Sequence, residues 1–181
     1  MSKLQLKKEL QAFDAEQLRD MVLDLYTARK DFKEYFDFYL NPDVEKLSAK
    51  YRELISKELN RTKRGGYSKA RISFIKNQIK EFSSFKPGYE AELDLLCYTF
   101  AYGVSNERFH YYSETLAKGI ASLMKLILEV AERNLVVDTA IKRITRILDT
   151  ETIGTKYFRN ALRGKLTEYI SVMNLASIRP S

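Results

Sequence analysis

Residues 14–25 read DAEQLRDMVLDL. Asp14 carries the side chain of a helix N-cap. Gln17, three positions on, completes a capping box, the reciprocal pair that satisfies free N–H groups at a helix start. Leu18, Met21, Val22 and Leu25 then fall at i, i+3, i+4 and i+7, so apolar side chains line one helix face. Phe32, Tyr35, Phe36 and Tyr39 repeat that spacing in a second short helix. Asn41-Pro42 reads as an N-cap followed by proline at the first helical position, with Val44, Leu47, Tyr51, Leu54 and Ile55 carrying that helix to about Asn60. The stretch RTKRGGYS, residues 61–68, is the clearest loop in the chain.

The same period runs through the second half. Ile72, Ile75, Ile79 and Phe82 predict a helix from about Lys69, stopped before Lys86-Pro87-Gly88. Leu93, Leu96, Cys97, Phe100 and Ala101 predict the next, ending near Gly103. From about Glu107 a long helix carries Phe109, Tyr112, Leu116, Ile120, Leu123 and Ile127. Val137, Ala140, Ile141, Ile144, Ile147 and Leu148 mark another, ending by Gly154. Tyr157, Ala161, Leu162, Leu166, Tyr169, Ile170 and Met173 mark the last. No stretch alternates at period two for long enough to make a strand. The expected fold is all-α, in a single domain over residues 1–181. Its helices pair at about 1–41, 42–86, 87–134 and 135–178, as an array of four HEAT-like hairpins or as a compact irregular bundle.

Composition agrees. A chain of 181 residues is long enough to bury roughly 70% of its unfolded surface without a disulfide or metal. Seven glycines and three prolines are too few for a many-turned β-sandwich. One cysteine and one histidine exclude a Cys/His metal cluster and a disulfide within the chain. The opening MSKLQLKKEL is charged throughout and lacks the apolar centre of a secretory signal. The longest uncharged run, Leu95 to Asn106, is twelve residues, short of the roughly 18 that suggest a membrane span. A lone cysteine in an apolar pattern fits a reducing compartment, and a cytoplasmic location is expected.

Four stretches, SKLQLKKEL at 2–10, EQLRDMVLDLYTARKDFKEYFDFYLNP at 16–42, RGGYSKARISFIKNQIKEF at 64–82 and LDTETIGTKYFRNAL at 148–162, carry a family resemblance. The chain resembles an uncharacterised bacterial family, a domain of unknown function, most specifically over residues 3–42. The resemblance implies a helical fold and a bacterial origin. It implies no activity, and so transfers no catalytic residue.

Enzyme chemistry finds little support. Glu107, His110 and Glu114 form E-x-x-H-x-x-x-E, but a ferritin-like di-iron site needs two histidines, and these residues read as a surface stripe. Cys97 sits at an apolar position and reads as an inert buried thiol, with the sole histidine on the following helix. No phosphate-binding or dinucleotide glycine motif and no G-x-S-x-G occurs. Glu90 with Glu92, and Asp149 with Glu151, read as ordinary helix-end and surface acids. No cofactor, metal or catalytic residue is assigned.

Charge is what carries functional content. Residues 61–80 hold seven basic side chains and no acidic one, while residues 1–60 come to −1 and the whole chain to +7. Arg61, Lys63 and Arg64 lead into Gly65-Gly66. Ser68 is then read as capping a helix whose first turn carries Lys69 and Arg71, where acids are the rule and an anion would be welcome. Lys69, Lys76 and Lys80 lie within about 40° on that helix. A second basic stretch offers Lys142, Arg143 and Arg146 opposite one apolar face, and Lys156, Arg159 and Arg163 on one flank of the last helix. The expectation is a polyanion site, nucleic acid being the best fit, at Arg61, Lys63, Arg64, Lys69, Arg71, Lys76 and Lys80, extended by the second set on one continuous face. The competing expectations are a protein-interaction scaffold or homo-oligomer using an aromatic patch such as Phe38 and Tyr39, and a small-molecule enzyme with a pocket near His110, Tyr111 and Glu114. Partner identity and oligomeric state are not encoded legibly.

Overall fold

The computed structural model describes residues 1–63, 66–67, 70–107 and 114–177, with backbone alone at 63, 66, 67 and 174–177. It is all-α: nine helices and one minimal strand pair stand among the described residues. The chain divides into two compact units, Met1–Asp43 and Val44–Ser181.

The first unit holds α1 (Lys3–Leu10), α2 (Ala15–Ala28) and α3 (Lys30–Leu40). The Asp14–Gln17 capping box forms as its spacing predicts. Ser2 and Gln5 build a second one ahead of α1, a helix the apolar spacing does not announce. Helices α2 and α3 pack together through Tyr26, whose ring lies edge-on to Phe36 at 6.3 Å and whose hydroxyl donates to Asp37 at 2.6 Å. Yet no residue in this unit is buried. Its amphipathic helices have faces but no core.

The second unit holds the core. It runs α4 (Val44–Leu59), β1 (Thr62–Lys63), β2 (Gly66–Tyr67), α5 (Ile72–Ser84), α6 (Tyr89–Asn106), α7 (Glu114–Arg133), α8 (Val137–Asp149) and α9 (Lys156–Ser177). Helix α4 starts two residues later than Asn41-Pro42 predicts, because Asn41 closes α3 instead. The expected loop at 61–68 contains an antiparallel ladder pairing Thr62 with Tyr67 and Lys63 with Gly66. Each helix packs on its neighbour in sequence, and α4 on α6, α5 on α7, α6 on α8 and α7 on α9. Tyr51, Ile55, Phe82, Phe100, Ile120, Met124, Ile144 and Phe158 are fully enclosed between them.

Two glycines set the closest approaches. Gly103 does not end α6, which continues to Asn106; a Cβ at Gly103 would lie 3.2 Å from the Ile120 side chain, so the missing side chain seats α7. At Gly119 on α7 a Cβ would come within 2.5 Å of Ile72, the first residue of α5. The long helix expected from about Glu107 is described from Glu114, and Phe109 and Tyr112 fall outside the described residues.

Candidate polyanion interface

Helix α5 begins at Ile72, three residues later than the apolar spacing suggests, with Arg71 as its N-cap and no side-chain cap from its own first turn. Arg71 therefore precedes the helix instead of occupying its first turn. What satisfies this helix start is Glu58, the penultimate residue of α4. Its Oε1 accepts the Arg71 backbone N–H at 2.8 Å and the Arg71 Nε–H at 3.1 Å, and its Oε2 accepts from Nη2 at 2.7 Å. Arg61 approaches the same carboxylate, Nε to Oε1 3.8 Å. The Glu58 side chain is only 3% exposed, against 54% for Arg71. Its carboxyl is held below the usual glutamate range, first by the Arg71 guanidinium hydrogen bond, with burial opposing. The Arg71 guanidinium also lies 5.0 Å from the Phe74 ring centroid, within cation–π range. An anion does sit at this basic helix start, then, and it belongs to the chain.

Beyond that base, Lys80 is exposed and Lys76 half-buried on α5, and neither forms an ion pair with a described residue. Lys63 is described in backbone only, and Arg64, Ser68 and Lys69 lie outside the described residues.

The second basic set is more divided than its helix positions suggest. Lys142, Arg146 and Lys156 are exposed, and a shallow groove along α8 runs past Ile141, Lys142, Thr145, Arg146, Asp149 and Thr150. Arg143 pairs with Asp94 on α6. Arg163 donates to the Leu148 carbonyl at 2.7 Å and to Asp149 at 2.9 Å, tying α9 to the end of α8. Arg159 is not on a surface flank at all. It is buried, and its Nη1 donates to the carbonyls of Glu151, Ile153 and Gly154 at 2.9, 2.8 and 3.1 Å, gathering the α8–α9 connection around one guanidinium.

The other candidates part company. Glu107 is buried instead of standing on a surface stripe, and its Oε2 accepts the Thr155 backbone N–H at 3.0 Å. Glu114 pairs with Lys118 on its own helix, while His110 and Tyr111 lie outside the described residues. Among the described residues no group of three or more His, Cys, Asp or Glu is arranged to hold a metal. Cys97 is buried and its thiol pushed up by desolvation, which keeps it protonated and unreactive. No helix of the described residues is long and apolar enough to cross a membrane. Sequence reasoning missed Glu58 and gave Glu107 a surface role; for Glu58 the available signal was an acid at the end of one predicted helix with a basic helix start following it in the chain.

The helices and their acid-poor basic segment define an all-α protein with a cationic loop. The family model described as "Family of unknown function (DUF6155)" matches residues 1–164, and the chain belongs to that family. This matches the resemblance read from residues 2–10, 16–42, 64–82 and 148–162. No curated protein and no solved structure matches the chain.

Proposed function

We propose that the chain is a non-enzymatic helical binding protein that holds a polyanion, nucleic acid in the first instance, through the 61–80 segment. The observation that carries this is the charge of that segment: seven basic residues and no acidic one, with Lys76 and Lys80 on α5 unengaged by described acids. Four residues of helix separate the two lysines by about 6 Å along the axis, a spacing suited to contacting phosphates on one strand. Contacts of this kind track the backbone and carry no base sequence. Lys142, Arg146 and Lys156 extend the reading as a secondary cationic surface. The same reading takes α4–α5, α6–α7 and α8–α9 as stacked hairpins of HEAT-like kind, in a cytoplasmic bacterial protein. Support comes from the next-but-one helix contacts and from the buried, reduced Cys97.

The test is fluorescence anisotropy of labelled DNA and RNA, duplex and single-stranded, across a salt series. Binding at micromolar protein with a steep salt slope, shallower by about two in the K76Q/K80Q variant, is expected. No binding at low salt would sink the reading.

A second reading has its own observation. Residues 1–43 contain no buried side chain, and Tyr39 is 67% exposed beside half-buried Phe38. A protein-interaction scaffold or homo-oligomer built on this aromatic patch predicts a complex insensitive to salt. Light scattering across the same salt series separates it from the first.

A further inference from the structure

Tyr98 and Tyr102 stand one turn apart on α6, and their rings stack with centroids 5.8 Å apart and planes 20° from parallel. Arg52 on α4 lays its guanidinium over the Tyr98 ring, 5.4 Å from the centroid. Asn60, just past the end of α4, donates its side-chain amide to the Tyr102 hydroxyl. Arg52 and Asn60 are exposed, both rings are half-buried, and no described acid pairs with Arg52. We propose that this column is a stacking platform for unpaired bases, which makes the partner a single-stranded nucleic acid. This rests on the polyanion reading above.

The core ring of α4, Tyr51, is fully enclosed. Tyr98 and Tyr102 instead keep part of their surface in water, and the bond from Asn60 tethers the second ring. An aromatic ring and a guanidinium both present flat faces, and unpaired bases stack on either. Stacking of this kind accepts any base, whereas a duplex keeps its base faces against one another. It also contributes binding that salt screens little, beside the phosphate contacts that salt weakens steeply. Arg52 lies about 12 Å along the helix axis from Asn60, and Asn60 immediately precedes the basic segment in sequence. The platform and the cationic stretch are thus continuous along the chain. If the column only joined α4 to α6, its loss would alter melting and leave strand preference untouched.

That contrast sets the test. Tyr98→Leu removes the central ring at constant charge, and Arg52→Lys keeps the charge while removing the flat guanidinium. Both are measured with the native chain against one labelled mixed-sequence DNA strand, alone and annealed to its complement, and against the RNA strand of the same sequence. A salt series accompanies each titration, and melting curves establish folding. The platform predicts that the native chain prefers single strands, DNA or RNA. Both variants should bind single strands about fivefold or more weakly, with an unchanged salt slope and unchanged duplex binding. Equal native affinity for duplex and single strand, with neither variant weakened, would overturn the platform and leave the polyanion reading standing. A loss that falls equally on duplex and single strand would overturn it too. A native chain that binds nothing at low salt would overturn both. If Tyr98→Leu does not fold, Arg52→Lys decides the matter alone: weakened single-strand binding at native charge supports the platform, and native affinity rejects it.

Discussion

The carboxylate of Glu107, at the end of α6, accepts the backbone N–H of Thr155, forty-eight positions further along the chain. Thr155 in turn accepts the Phe158 N–H through its hydroxyl at 3.3 Å, so the start of α9 is secured from both sides. Glu58 does the same for Arg71 at the start of α5. Two buried acids at helix C-terminal ends thus close the N-terminal ends of later helices, meeting the free N–H groups that every helix start leaves.

The connection that Glu107 and Arg159 hold depends on Gly154. Its φ is +63°, and a Cβ there would lie 2.7 Å from the Val104 carbonyl oxygen, a backbone atom that cannot rotate away. Gly154→Ala is expected to lose about 2–5 kcal/mol, from left-handed strain and overpacking together. Gly164→Ala on α9, where nothing lies within 4 Å, is expected to gain about 0.5–1 kcal/mol from helix propensity. Urea unfolding of the two variants measures the contrast; equal effects would discount the Val104 contact.

Glu58 makes stability depend on pH. Its folded-state pKa is depressed, chiefly by the Arg71 hydrogen bond, so the unfolded chain takes up a proton before the folded chain does. The stability it confers is present above the unfolded value of about 4.3 and is lost as pH falls through the depressed folded value. The stability gap between the native chain and Glu58→Gln should be largest at neutral pH and shrink on acidification. A gap that stays constant down the series would contradict the ion-pair assignment.

Gly119 and Ile72 form a contact with no slack. Gly119→Ala is expected to cost about 1–3 kcal/mol of overpacking, partly offset by about 1 kcal/mol of helix propensity. Removing the obstructing side chain as well, in Ile72→Ala/Gly119→Ala, should give a smaller loss than the two single losses added. Strict additivity in the cycle would mean that the two residues do not press on each other.

Leu135 closes α7 in the left-handed region at φ +58°, a place glycine usually fills, with the Val136 N–H reaching back to the Ala131 carbonyl. It is 93% exposed, so trimming it forfeits no burial. Leu135→Gly should raise stability by about 1 kcal/mol, read as a higher melting temperature. A lower melting temperature would mean that the side chain is held by something outside this chain.

Residues 44–181 should fold without the first unit, since every buried residue lies within them. A variant beginning at Val44 is expected to melt cooperatively by circular dichroism. A peptide of residues 1–43, having no core to close, should show little stable helix.

Local signals were readable and distant ones were not. The start of α2 lies open in the sequence because Asp14 and Gln17 are three residues apart. The same signal at Ser2 and Gln5 precedes KLQLKKEL, whose apolar spacing is too thin to extend it. Gly103 looks like a helix end because glycine serves both as a stop and as a seat, and only Ile120 on another helix decides between them. The start of α5 shifts to Ile72 because the Arg71 N–H goes to Glu58, thirteen residues back, a partner no local pattern names. Arg159 has the helix position of a flank cation, yet three carbonyls from one short connection draw it inside. The basic segment was legible as charge, whereas its anchoring needed coordinates.

The coreless first unit also sets the order of events on the ribosome. Residues 1–43 leave the exit tunnel ahead of the buried side chains of residues 44–181, so condensation of that core waits for α4 and its successors. Leu4, Phe13, Leu23, Tyr39 and Leu40, all exposed in the finished fold, are thus solvent-facing from first emergence. Within this chain, the part that never acquires a core is thus exposed to a chaperone, or a partner, before the core of residues 44–181 exists.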